Sequence, residues 1–141
     1  MSHVAKIELE INDLDTLKAA CERLGVEFVP DQKHYRWYNE HVGDYPLPEG
    51  FTVDDLGRCD HAIRVPGASY EVGVVRRGSK YVLLWDFYSA GGLERKLGKG
   101  AGRLKQAYAV ERVRREARLK GYQVREQRAE HGIRLTLAGK R

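Results

Sequence analysis

The chain has 141 residues, 42% of them apolar and 32% charged, which suits one folded α+β domain spanning 1–141 that builds its core without metal or disulfide staples. Its net charge of +5 is unevenly spread: from Gly91 onward 15 Lys and Arg face 5 Asp and Glu, whereas the first 90 residues hold 10 against 15. No run approaches the roughly 20 apolar residues of a membrane span. Met1-Ser2-His3 leads straight into a strand-like segment with no basic and apolar leader, so a cytoplasmic protein with no membrane partner is expected.

Val4 to Ile11 alternates, with Ile7, Leu9 and Ile11 on one face and Lys6, Glu8 and Glu10 on the other, which predicts a strand. Asn12 or Asp13 then caps a helix over Leu14 to Leu24, where Leu14, Leu17, Ala20 or Cys21, and Leu24 recur at helical spacing until Gly25 stops it. Val26 to Val29 reads as a short strand ending at Pro30. Residues 31 to 60 are irregular, rich in Pro, Gly and aromatics, and predict a surface excursion with one short strand at Tyr35–Tyr38.

His61–Val65, Tyr70–Arg76 and Lys80–Tyr88 follow as strands, the last two joined as a hairpin through Arg77-Gly78-Ser79. Lys80–Tyr88 is apolar on both faces and belongs at the centre of its sheet. A helical turn is expected at Leu93–Leu97. Gly98-Lys99-Gly100-Ala101-Gly102 opens a helix over Arg103 to Lys120, and Gln123–Arg128 with Ile133–Leu137 form a closing hairpin. This order predicts a two-layer sandwich of mainly antiparallel sheet with two helices on one face, related to ferredoxin-like arrangements.

The late helix is the strongest functional lead. Helical spacing gathers Gln106, Val110, Val113 and Ala117 on an arc that should face the sheet. Lys105, Arg112, Arg115 and Arg118 fall outside it, with Arg103 and Arg114 on its flanks. Such a guanidinium-rich face suits an anionic partner, either nucleic acid or an acidic protein. The plainer alternative is a solvated helix whose arginines pair with acids of the N-terminal part. Lys99, within the Gly-rich loop, adds to the basic set. That loop has neither Walker nor dinucleotide spacing, so it implies no nucleotide cofactor.

Tyr35, Trp37 and Tyr38 crowd the irregular segment beside His34, Arg36 and His41. They suit either a partner-contact surface or simple core packing. Cys59-Asp60-His61 is the one place where a thiol and an imidazole lie close in sequence, and residues 59 and 61 of a strand would share a face. A small enzyme using Cys59 and His61, with His34 or His41, is therefore the alternative to a binding module. The spacing fits no zinc signature, and no metal is implied. Asp86, between Trp85 and Phe87, reads as a buried acid paired with a nearby Arg or Lys, or as a strand end.

The opening Met1-Ser2-His3, then Ile7 through Asn12-Asp13-Leu14-Asp15-Thr16-Leu17 with Ala20 and Leu24-Gly25, forms one part of an ordered pattern. The block Gly102 to Ala109, Gly121-Tyr122-Gln123-Val124 and Ile133-Arg134-Leu135 forms the other. Together they resemble a family of small uncharacterised proteins of algal plastids (the hypothetical chloroplast reading frame thirty-five), cyanobacteria, other bacteria and phages. The region Gly43 to Gly67 looks like the bacterial and phage branch, and plastid forms are shorter there. The resemblance carries over no catalytic residue. It implies an adaptor role beside an AAA-type ATPase, with Lys105 and Tyr108 outward on the basic helix. The expectation is a non-enzymatic binding module that meets an acidic protein partner or nucleic acid.

Overall fold

A computed structural model of the chain describes residues 3–41, 45–130 and 132–139; Met1, Ser2, Gly43 and Asp44, which entered the reading above, lie outside the described residues. The elements in chain order are β1 (Val4–Ile11), α1 (Leu14–Leu24), β2 (Glu27–Val29), β3 (His61–Arg64), β4 (Glu71–Arg77) and β5 (Lys80–Asp86), followed by α2 (Leu93–Leu97), α3 (Gly102–Leu119), β6 (Gln123–Ala129) and β7 (Gly132–Ala138). Asp13 is the cap that starts α1: its carboxylate accepts from the Asp15 N–H at 3.0 Å and the Thr16 hydroxyl at 2.8 Å. Such a cap stabilises a helix by about 1 kcal/mol. Gly25 ends α1 in the left-handed conformation, φ 74°, where a side chain would be strained.

β1 to β5 form one sheet in the order β1-β5-β4-β3-β2, antiparallel at every step. β5 lies between β1 and β4, as its doubly apolar sequence requires. β1 and β2 occupy opposite edges, so α1, which links them, spans the sheet. One face carries Ile7, Ile63, Val72, Val74, Leu83 and Trp85, buried against Leu17, Ala20 and Cys21 of α1 and Leu104, Ala107 and Tyr108 of α3. The α+β sandwich with helices on one face is thereby realised.

The opposite face is also covered. Ala62, Val75 and Leu84 contact a second apolar cluster of Tyr35, Trp37, Phe51, Leu56 and Cys59, all supplied by the irregular segment. The segment is thus a third layer. Tyr35–Tyr38 is not a strand; among the described residues an isolated bridge joins His34 to Arg58, and the Tyr35 N–H donates to the Gly57 carbonyl at 2.9 Å. Two buried carboxylates of the sheet hold this layer. Glu71 Oε1 accepts the Arg36 N–H at 2.9 Å and the Gln32 amide at 3.0 Å, while Oε2 accepts Arg64 Nε at 3.2 Å. Asp86, fully buried, accepts the backbone N–H groups of His3 (3.0 Å), Tyr38 (3.2 Å) and Tyr88 (3.2 Å). Its partners are main-chain donors and not an Arg or Lys; of the two expectations the strand end holds, since Asp86 is the last residue of β5.

α3 lies against both α1 and the β6–β7 hairpin, which is a separate two-stranded sheet. Its sheet-facing residues are Leu104, Ala107 and Tyr108, whose hydroxyl accepts the Asn12 N–H at 3.4 Å; Tyr108 is therefore buried, not outward. The arc expected to face the sheet lies on the hairpin side instead. Gln106 lies beside Gly132 of the hairpin, Val110 and Ala117 are buried but belong to neither core cluster of the sheet, and Val113 stays 40% exposed. A helix between two neighbours has two covered arcs, and spacing alone does not say which neighbour each one meets.

Candidate interaction surface

The long helix carries its basic residues on several faces, and the structure sorts them by what they touch. Arg115 turns toward the start of α1, where Nε lies 3.2 Å from Asp13 and Nη2 lies 3.8 Å from Asp15. Arg114 donates to Glu126 of β6 at 2.9 Å. Arg23, in the last turn of α1, reaches the same Glu126 and Glu111 of α3, its Nε donating to the latter at 3.0 Å. The Arg23 and Arg114 guanidinium groups hold the Glu126 carboxyl below the usual carboxylate range. This pair of arginines around one glutamate ties α1, α3 and the hairpin together. Arg23 carried no weight in the sequence; its place in the last helical turn was the available signal.

Five of the six proposed anion-binding residues are left without a salt bridge among the described residues: Lys99, Arg103, Lys105, Arg112 and Arg118. They do not form one patch. Lys105 and Arg112, two helical turns apart, share a ridge of α3, Lys105 half-buried and Arg112 exposed. Arg118 borders a crevice with Arg23, Arg114, Glu22, Glu111 and Glu126. Lys99 and Lys105 meet Lys6 around a 310 Å³ hollow floored by Trp85 and Phe87, with Glu8 and Glu94 also on its rim. Arg103 Nη1 reaches the Arg95 carbonyl at 3.4 Å.

The Gly-rich loop folds on itself. Gly98 and Gly100 take φ of 86° and 60°, and Ala101 adopts 61° at the foot of α3. The Gly100 N–H donates to Glu94 Oε2 at 2.9 Å and the Ala101 N–H to the Gly98 carbonyl at 2.9 Å. These donors already have partners, so what the loop offers an anion is the ammonium of Lys99.

The aromatic trio divides. The Tyr35 ring lies on Gly73 of β4, and the Trp37 indole lies on Gly57; both residues are buried, whereas Tyr38 is 41% exposed. Burial pushes the Tyr35 phenol up to about 12, and its hydroxyl has no hydrogen-bond partner among the described residues. Tyr35 and Trp37 help line a 640 Å³ cavity with His34, His41 and Arg58. Cys59 and His61 do not share a face. Cys59 belongs to the loop layer, donates to the Gln32 carbonyl at 3.1 Å, and burial pushes its thiol up to about 12. His61 lies on the helix side between Phe28 and Tyr81, and its Nδ1 accepts the Asp31 N–H at 2.9 Å. A protonated thiol with its imidazole elsewhere lacks the arrangement that activates a nucleophile. Among the described residues, no group of three or more His, Cys, Asp and Glu is placed to hold a metal ion, and no helix is long and apolar enough to cross a membrane.

Residues 24–137 match the family model described as protein of unknown function (DUF1257). The chain belongs to the DUF1257 family. No curated protein and no solved structure matches it. An uncharacterised family was the expectation from the ordered motifs. The matched span of this DUF1257 member runs from the end of α1 through β7, so it takes in the irregular layer, α3 and the hairpin.

The unequal pairing of the arginines has a measurable consequence. Arg115→Glu sets a third carboxylate against Asp13 and Asp15, and is expected to lower stability by about 1 kcal/mol. Arg112→Glu is expected to stay within about 0.5 kcal/mol of the parent. Chemical denaturation of both variants in low salt checks this. Equal losses would mean that the Arg115 contacts contribute nothing.

Proposed function

We propose that this DUF1257 protein is a non-enzymatic binding module of the cytoplasm, whose separate basic groups on α3 and the Gly/Lys loop engage an acidic partner. The partner is an acidic protein, such as an AAA-type ATPase for which the chain acts as adaptor, or nucleic acid. The observation that carries this reading is the split in ion pairing: Arg23, Arg114 and Arg115 serve the fold, while Lys99, Arg103, Lys105, Arg112 and Arg118 make no salt bridge among the described residues. A charge with no carboxylate within salt-bridge distance is available to another molecule. Tyr38, the exposed member of the aromatic trio, adds a contact residue at the rim of the irregular layer. The stretch from Gly43 to Gly67 supports placing the chain in the bacterial and phage branch of its relatives.

Fluorescence anisotropy with labelled DNA, RNA and polyglutamate across a salt series tests the proposal. With four charged contacts, affinity for nucleic acid is expected to fall roughly 100-fold between 50 and 200 mM salt. The variant Arg103→Glu/Arg112→Glu/Arg118→Glu, which spares Arg115, is expected to abolish binding and leave the fold intact. Absence of binding to all three probes at low salt would sink the idea.

A further inference from the structure

The hairpin offers a surface of its own. β6 and β7 pair over seven residues each, from Gln123 opposite Ala138 to Ala129 opposite Gly132. Residues directly opposite one another in an antiparallel pair point to the same face. One face therefore holds Val124, Glu126, Arg128, Ile133, Leu135 and Leu137; the other holds Gln123, Arg125, Gln127, Arg134, Thr136 and Ala138, with the half-buried Ala129 and Gly132 at its turn end. Glu126 bonds to Arg23 and Arg114, which fixes the first face as the one turned to the body. On the second face Gln123, Arg125, Gln127, Arg134, Thr136 and Ala138 are all exposed.

This outer face is unusual in three respects. It has no acid, since Glu126 is the one acid of the two strands and lies inward, consumed by two arginines. Arg125 and Arg134 make no salt bridge among the described residues. Its other polar groups are amides and a hydroxyl, and it has no large apolar side chain of the kind that anchors a protein partner.

We infer that the outer face of the β6–β7 ribbon docks into the major groove of duplex DNA, with Arg125 and Arg134 on phosphates or guanine edges and Gln127 and Thr136 toward base edges. Two strands about 4.8 Å apart form a ribbon that fits a groove about 12 Å wide. Guanidinium and amide groups are the side chains that read base edges there. The A-form groove of duplex RNA is too deep and narrow for side chains to read, so the fit selects DNA. This rests on the proposed anionic partner, but places the contact on a different element from α3.

The experiment titrates the full chain against a labelled 20-base-pair duplex DNA, the equivalent duplex RNA, and polyglutamate. The variants are Arg125→Glu/Arg134→Glu, Arg125→Gln/Arg134→Gln, and the α3 triple variant, with circular dichroism to confirm folding. DNA affinity is expected to fall at least tenfold in both ribbon variants, with the slope of log affinity against log salt reduced by about 2. If both ribbon variants bind DNA like the parent, the ribbon assignment is overturned, and the α3 variant alone decides the wider reading. Equal affinity for duplex RNA overturns entry into the DNA groove. Binding to polyglutamate without binding to DNA overturns the ribbon assignment while the wider reading stands. No binding to any probe removes both.

Discussion

Replacing Asp86 with alanine is expected to destabilise the protein by about 4 kcal/mol, because it strips the acceptor from three main-chain N–H groups at once. For a domain of this size that lowers the melting temperature by about 12 °C. The carboxylate is fully buried and gathers His3 before β1, Tyr38 of the irregular layer and Tyr88 after β5. Asp86→Asn keeps one acceptor oxygen but aims an N–H₂ group at former partners, so a smaller loss of about 2 kcal/mol is expected. Thermal and chemical unfolding distinguish the two. If alanine costs less than about 1 kcal/mol, the three donors have found other acceptors and the carboxylate is not the anchor described.

The second large effect lies in the middle of β4. A Cβ on Gly73 would stand 2.3, 2.5 and 3.0 Å from three atoms of the Tyr35 ring. Gly73 pairs with Ala62 on one side and Leu84 on the other, so the ring fills a depression that a strand of ordinary residues would lack. Gly73→Val is expected to cost about 3 kcal/mol by expelling Tyr35 from the sheet. The cause is checked by a double-mutant cycle: once Tyr35→Ala has emptied the space, Gly73→Ala is expected to cost much less than in the parent. Additive losses would show that the glycine is needed for something other than the ring.

These positions mark how far the sequence could be read. Periodicity placed β1, α1 and α2 to the residue and the other realised elements to within two, because apolar side chains on one face of each element declare its period. Strand order could not be read, since β1 pairs with β5 across most of the chain and nothing local encodes that. The irregular segment was legible as irregular, but its role as a covering layer rests on Glu71, Asp86 and Gly73, each ordinary until its partner is known. On α3 the basic residues were legible as a set, yet their separation into pairing and unpaired groups depends on Asp13, Asp15, Glu111 and Glu126. Tyr108 was misplaced because its hydroxyl finds the Asn12 N–H, which makes a polar aromatic affordable inside. The ribbon face went unnoticed because its alternation of apolar with Arg and Gln is the pattern of any half-covered strand.

The sheet order also bears on self-association. An unpaired strand edge invites a second chain to add to it, and natural sheets blunt such edges. Here one edge is β2, only three residues long and followed by Pro30; the other is β1, whose register shifts between Ile7 and Ile11 and which carries the exposed Glu8. Neither is a long, flat template. The ribbon has two unpaired edges among the described residues, but a copy adding to β6 would meet Arg125 and Arg128, and one adding to β7 would meet Arg134. Like-charge repulsion therefore opposes pairing at the one sheet whose edges geometry leaves open, and the arginines proposed to meet an anion work against that contact between copies.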